Sequence, residues 1–148
     1  MPNVTRKILL VILIIMSSLN DKPIMNIKID KINVNEKIFD KNSSNNVIDK
    51  HVIILKESGM PDSGKTVIIG AHSGVGPLAY FKNLNLLEKN DEILITYNGK
   101  EYKYVVKTKY KDDKNGIIRI RSDNDLVLFT CYPNDKKNYL IVVSSLQV

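Results

Sequence analysis

The sequence has few of the residues that hold small proteins together through covalent or metal bonds. Its 148 residues include 1 Cys, 2 His and no Trp. A single cysteine, Cys131, excludes an intramolecular disulfide, and with only His51 and His72 beside it the chain has no zinc-ligand set. A chain of this length buries about two-thirds of its unfolded surface and folds as one domain without such bonds. We expect no metal and no other cofactor.

Clustered charge of one sign is also missing. The formal net charge is +6, and the basic residues are nearly all lysines scattered along the chain. A nucleic-acid-binding protein more often groups Lys and Arg with aromatic residues. Asp112 and Asp113 are interpreted as turn residues rather than as a calcium site. The charge therefore indicates a solvated or anion-facing surface, and nucleic acid is not expected as a partner.

The one long apolar run is at the N-terminus. Arg6 and Lys7 precede residues 8–16 (ILLVILIIM), a pattern typical of an export signal. The run is shorter than the roughly 20 residues that span a bilayer, and no A-x-A cleavage site follows it. We therefore expect export with poor or absent cleavage and a marginal membrane anchor, with a buried first strand or helix as the alternative. Residues 1–23 are assigned to a signal or anchor segment and linker, and 24–148 to the folded domain.

From residue 24 onward, short β-branched runs alternate with polar turns, which is typical of an all-β sandwich or barrel. Two Asn-Gly pairs favour tight hairpin turns. One helical stretch is predicted over 77–87 (PLAYFKNLNLL), which begins with a proline suited to a first turn. The predicted strands are 26–32, 47–55, 66–71, 92–97, 101–110, 116–121, 125–131 and 138–144.

Residues 59–66 (GMPDSGKT) match the phosphate-binding pattern G-x-x-x-x-G-K-[ST]. That pattern binds phosphate when a helix follows, because the helix N-terminus and the loop amides hold the anion together. Here the run VIIG predicts a strand, and Pro61 removes one amide donor. The match is interpreted as accidental.

Cys131 and His72 each end a predicted strand. Cys131 closes the apolar run DLVLFTC ahead of Tyr132-Pro133, and His72 follows VIIGA. A buried apolar role for the cysteine and a surface role for the histidine are the simple interpretations. A thiol and an imidazole at strand ends also permit a nucleophile and its acid/base. The residues alone leave both open.

The surrounding motifs resemble those of the sortases. The segment LFTCYP is similar to the family's T-L-x-T-C signature, with Val127 at the first Thr, and its Tyr-Pro continuation is closest to class D enzymes. Residues 58–74 (SGMPDSGKTVIIGAHSG) resemble the family stretch that ends in the catalytic histidine. Residues 81–93 (FKNLNLLEKNDEI) resemble F-x-x-L-x-x-L-x-x-G-D-x-I. The resemblance runs in colinear order from about residue 24 to 143.

The resemblance implies an eight-stranded sortase β-barrel with one short helix and a cysteine transpeptidase activity. Cys131 would be the nucleophile and His72 the acid/base. Asn138 stands where the family has an arginine that supports the oxyanion. Loss of such a stabiliser costs about 10²–10³ in rate, so either another residue compensates or the enzyme is slow. The candidates named by the sequence are Lys136, Lys137, Arg119 and Arg121.

The implied substrates are proteins with an LPxTG-like sorting signal, and the implied acceptor is an amine of a cell-wall peptide or a pilin lysine. Thr130, Ala71 and Ser73 are expected to support the bound peptide. The implied location is the extracellular face of the membrane, or the secreted fraction, of a Gram-positive cell. The alternative is a catalytically impaired sortase-like module that only binds peptides, which Asn138 would explain.

Overall fold

A computed structural model describes residues 2–115, 118, 123 and 125–148. Its helices are α1 and two single 3-10 turns, and the remaining elements are eight strands, β1 to β8. The bounds are α1 Pro2–Asn20, β1 Pro23–Ile29, a 3-10 turn at Asp30–Ile32, β2 Val34–Phe39, β3 Ile53–Ile54, β4 Val67–Gly70, a 3-10 turn at Leu84–Leu86, β5 Glu92–Tyr97, β6 Lys100–Asp113, β7 Asp125–Tyr132 and β8 Asp135–Leu146.

The N-terminal apolar run forms helix α1. Its side chains from residue 8 to residue 16 are exposed, so the run is not a buried first element of the barrel. Among the described residues, no helix combines the length and apolar character needed to cross a membrane.

The eight strands form one sheet in the order β2-β1-β5-β6-β8-β7-β4-β3. An isolated bridge between Ile38 and Val52 joins the two ends of this order, so the sheet is a nearly closed barrel. Alternate residues point inward, as the two-residue period of a strand requires. The predicted all-β barrel is confirmed.

Apart from shifts in strand bounds, one predicted strand is mostly replaced by a turn and one observed strand was not predicted. Within the predicted strand 47–55, only Ile53–Ile54 is a strand, because the amides of Lys50 and His51 donate to Val47 O in a turn. Strand β2, Val34–Phe39, was not predicted, since Asn, Glu and Lys interrupt its apolar pattern. The predicted strand 116–121 lies outside the described residues except for Ile118, and Arg119 and Arg121 lie there with it.

The segment 77–87 is a series of turns with one 3-10 turn, rather than the short helix that the spacing predicts. The amide of Phe81 donates to His72 O at 3.0 Å. It therefore does not donate to the carbonyl four residues earlier, as it would in a helix. Phe81, Leu84 and Leu87 are nevertheless fully buried in the barrel core. The apolar spacing thus identified the buried side chains correctly but not the backbone conformation.

The phosphate-loop match leads into strand β4. The amides of Met60 and Lys65 both donate to Ser63 Oγ. These loop amides are therefore held by a side chain, and a strand stands where the motif would need a helix.

Gly70 leaves room for the Phe129 ring against β4. The two residues are partners in the parallel pairing of β4 with β7. A Cβ on Gly70 would overlap the ring atoms of Phe129. Glycine is therefore required here by close packing rather than by a turn.

We expect Gly70→Ala to lower the free energy of unfolding by about 1–3 kcal/mol, because the added methyl must displace a buried ring. Urea unfolding of the two proteins measures this. Gly99→Asn is the matched control, since Gly99 has a φ of 73° in a hairpin turn with open space around it and Asn tolerates that conformation. Equal losses in both variants would contradict the packing argument.

Candidate active site

The end of β4 lies beside the end of β7 because these two strands run parallel. Gly70 is the register partner of Phe129. Beyond this pair, Ala71 N donates to Phe129 O at 3.3 Å, and the buried Thr130 hydroxyl donates to Ala71 O at 2.7 Å. His72 and Cys131 each lie two residues beyond the Gly70–Phe129 pair.

Cys131 lies on the outer face of the barrel, which we define by the cluster of Ile68, Val127, Phe129 and Ile141. Its register partner on β8 is Tyr139, whose ring packs edge-on against Phe129 with centroids 5.6 Å apart. The thiol is free and half-buried. It lines a groove of about 670 Å³ together with the loop after β4 and the β7–β8 turn. The nucleophile candidate is therefore accessible from solvent.

The Cys131 sulfur has a cationic neighbour. Lys114 Nζ donates to Cys131 Sγ at 3.0 Å. The same ammonium lies 5.0 Å from the centroid of the Tyr139 ring. The nucleophile candidate therefore has a positively charged group in direct contact with its sulfur.

The His72 imidazole is paired with a carboxylate. Its Nε2 lies 2.8 Å from Asp49 Oδ1, and 39% of the His72 side chain is exposed. Its backbone is held by the Phe81 amide. His72 lines a smaller groove that shares Ser73 and Val75 with the Cys131 groove. The two catalytic candidates thus stand at adjacent strand ends, each with a partner of its own.

Asn138 faces away from Cys131. It precedes Tyr139, the partner of Cys131, and strand alternation turns its side chain to the opposite face of β8. Its amide donates to Asp135 Oδ2 at 2.7 Å. Lys111 Nζ lies 2.5 Å from the same carboxylate oxygen. The structure therefore places Asn138 in a polar cluster of the β7–β8 hairpin.

Comparison with known proteins identifies the fold and the family. The sortase domain model matches residues 27–147. The chain belongs to the sortase family. No curated protein matches this sortase significantly.

Solved sortases share its fold at low sequence identity. A lid mutant of sortase A from Corynebacterium diphtheriae is 23% identical with a TM-score of 0.73, and 86% of this chain covers 71% of that one. Sortase C1 from Streptococcus agalactiae is 21% identical with a TM-score of 0.75, covering 86% and 69%. A Clostridium perfringens sortase D5 transpeptidase is 23% identical with a TM-score of 0.73, covering 87% and 81%.

These values do not separate class A, C and D relatives, so the class D assignment stays a prediction. Membership of the family supports a cysteine transpeptidase function.

Sequence reasoning missed two residues of this sortase that contact the catalytic candidates. Asp49 falls within the predicted strand 47–55, and Lys114 lies between the predicted strands 101–110 and 116–121, where no role was expected of it. Neither carries a local motif, because each meets its partner only through tertiary structure: Asp49 is 23 residues from His72, and Lys114 is 17 from Cys131. The four compensating cations named by the sequence did not include Lys114. Of these, Lys136 lines the Cys131 groove.

Thr130 holds the two strand ends together. We expect Thr130→Val to lower the free energy of unfolding by about 1–3 kcal/mol, because it leaves the buried Ala71 carbonyl without its donor. Thr130→Ser keeps the hydroxyl and serves as the control. Chemical denaturation of both variants measures the difference, and a valine variant as stable as the serine variant would refute the role of this bond.

The pKa of the Asp135 carboxyl is lowered by the polar cluster of the β7–β8 hairpin. The Lys111 ammonium, the Asn138 amide and the Lys137 backbone N–H lower the pKa of Asp135 from 3.8 to about 2. A lowered folded-state pKa means that the bound carboxylate stabilises the fold above pH 3.8, and that this contribution is lost as the pH falls towards 2.

We therefore expect an NMR titration to show Asp135 still ionised near pH 3, and Lys111→Met to move its titration towards the ordinary range. Lys109→Met, which removes another lysine of the same strand, is the control. A normal titration of Asp135 in the unmodified protein would show that this cluster does not form.

Proposed function

We propose that this sortase is a transpeptidase that cleaves an LPxTG-like sorting signal and transfers the protein to an amine. Cys131 is the nucleophile and His72 the acid/base. The observation that carries the proposal is the parallel pairing of β4 with β7, which aligns the strand ends bearing the accessible thiol and the imidazole. The surface location of both groups suits a protein-sized substrate.

The proposed reaction has two halves. The Cys131 thiolate adds to the carbonyl carbon of the signal's Thr, and the carbonyl electron pair moves to oxygen. Collapse of this intermediate breaks the peptide C–N bond, and His72 gives its proton to the departing amine. The incoming amine then attacks the thioacyl carbon, returns a proton to His72 and releases the thiolate. The acceptor is an amine of a cell-wall peptide or a pilin lysine.

The groove has features that suit an extended peptide. Val75 is almost fully exposed at its rim, between Gly74 and Gly76, whose φ values are 100° and 111°. This apolar side chain is available to an apolar residue of the signal. Ser73 lines the same groove, while Thr130 and Ala71 are buried and bonded to each other. In the proposed peptide site, Val75 and Ser73 are open to the peptide, and Thr130 and Ala71 support it only by joining the ends of β7 and β4.

The proposal includes a location and a division of the chain. Residues 1–23 would serve as the signal or anchor segment and linker, and 24–148 as the catalytic domain on the extracellular face of the membrane or in the secreted fraction. Supporting this, the family model begins at residue 27, just after the helix and its linker.

The test is to mix the full chain with LPxTG-type peptides and to detect a thioacyl adduct on Cys131 by mass spectrometry. We expect an adduct with the unmodified protein and none with Cys131→Ala. His72→Gln should slow its formation by about 10²–10⁴, the usual contribution of a general acid. His51→Gln, which changes the other histidine, should leave the rate unchanged. Absence of any adduct across a panel of signals would overturn the proposal.

The impaired peptide-binding module remains the second candidate, because the resemblance implies that Asn138 stands at the position of the family arginine. Asn138→Arg separates the two. If the unmodified protein reacts and the arginine changes its rate little, the transpeptidase stands, as expected from the orientation of Asn138. If only Asn138→Arg reacts, the chain is an impaired module.

A further inference from the structure

The Lys114 ammonium occupies a defined place on the outer face. Its residue follows β6, and its amide donates to Lys137 O at 3.1 Å, which extends the pairing of β6 with β8 by one residue. The backbone of Lys114 is therefore anchored to the strand that also carries Tyr139. Its position is part of the sheet rather than of a free loop.

The strand register explains how this side chain reaches the sulfur. Asp112 pairs with Tyr139, and Tyr139 pairs with Cys131, so these three residues form one row across β6, β8 and β7. Lys114 is two residues beyond Asp112 and thus on the same face, diagonal to Tyr139. Its ammonium lies 5.0 Å from the ring centroid and 3.0 Å from Cys131 Sγ. The face of the Tyr139 ring attracts the ammonium, which extends over β8 and reaches the thiol on β7.

We infer that Lys114 is the catalytic cation of this site, supplying the positive charge that Asn138 does not. This inference rests on the proposed transpeptidase function. The ammonium stabilises the Cys131 thiolate before attack. After attack, the oxyanion sits on the carbon bonded to Sγ, within reach of the same group, and an ammonium has three N–H donors to share between them. Lys114 takes no part in the proton transfer, which His72 performs.

The first test measures the thiol without any peptide. The rate at which iodoacetamide alkylates Cys131 in the full chain at pH 7 reports how much thiolate is present, and this neutral probe is not itself attracted by the lysine. We expect Lys114→Met to lower the rate about tenfold, as the loss of a charge-assisted hydrogen bond implies. Lys114→Arg should stay within about threefold of the unmodified protein, because it keeps the charge.

Two comparisons separate a direct contact between Lys114 and Cys131 from a general electrostatic effect of lysines in the groove. Lys136→Met removes a lysine of the same groove and should slow alkylation much less than Lys114→Met does. Raising the salt from about 0.05 to 1 M should slow the unmodified protein and leave Lys114→Met unaffected, because salt screens the pair. If Lys114→Met folds poorly, the same salt response is expected of the unmodified protein and of Lys114→Arg, which keeps the charge.

The inference is overturned if Lys114→Met reacts at the unmodified rate, or if Lys136→Met loses as much as Lys114→Met. Its outcome is distinct from that of the proposed function. If Lys114→Met slows alkylation but no peptide forms an adduct with the unmodified protein, the transpeptidase fails while the thiolate pair stands. If adducts form equally well with Lys114→Met, the transpeptidase stands and Lys114 is not its catalytic cation.

Discussion

The site depends on the parallel pairing of β4 with β7. These strands are separated by more than fifty residues of sequence, yet four consecutive register pairs hold them side by side. The Thr130–Ala71 hydrogen bond extends this contact to the point where the chains diverge. Because the strands run in the same direction, their C-terminal ends meet at one edge of the barrel. An antiparallel pairing would have sent His72 and Cys131 to opposite edges.

Side-chain packing on the outer face of the barrel extends from the β4–β7 pair across β8 to Lys114. Gly70 makes room for Phe129, the ring of Phe129 supports Tyr139, and Tyr139 lies beneath the Lys114 ammonium. Each contact is short-ranged, and each orients the next side chain towards the sulfur. The same hairpin also carries a polar cluster in which Lys111 and Asn138 contact the Asp135 carboxyl, and Asp135 lines the Cys131 groove as well.

Much of the fold follows from local patterns. Strand β5 has the predicted bounds, and β7 differs from its prediction by one residue, because apolar β-branched runs bounded by turns favour strands. The failures also have local reasons. Polar residues interrupt the apolar pattern of β2, so this strand is not predicted from the sequence. A turn that begins at Val47 replaces most of the strand predicted over 47–55. The Phe81 amide bonds to His72 O instead of continuing a helix.

The sequence by itself determined the family, the barrel and the two chemical groups at strand ends, because motifs and strand periods are local and can be read in order along the chain. Only the tertiary structure decided their partners. It turned Asn138 away from the thiol and brought Lys114 to it, and it paired His72 with Asp49. These outcomes depend on strand register and on which face a residue occupies, and a shift of one residue would reverse them.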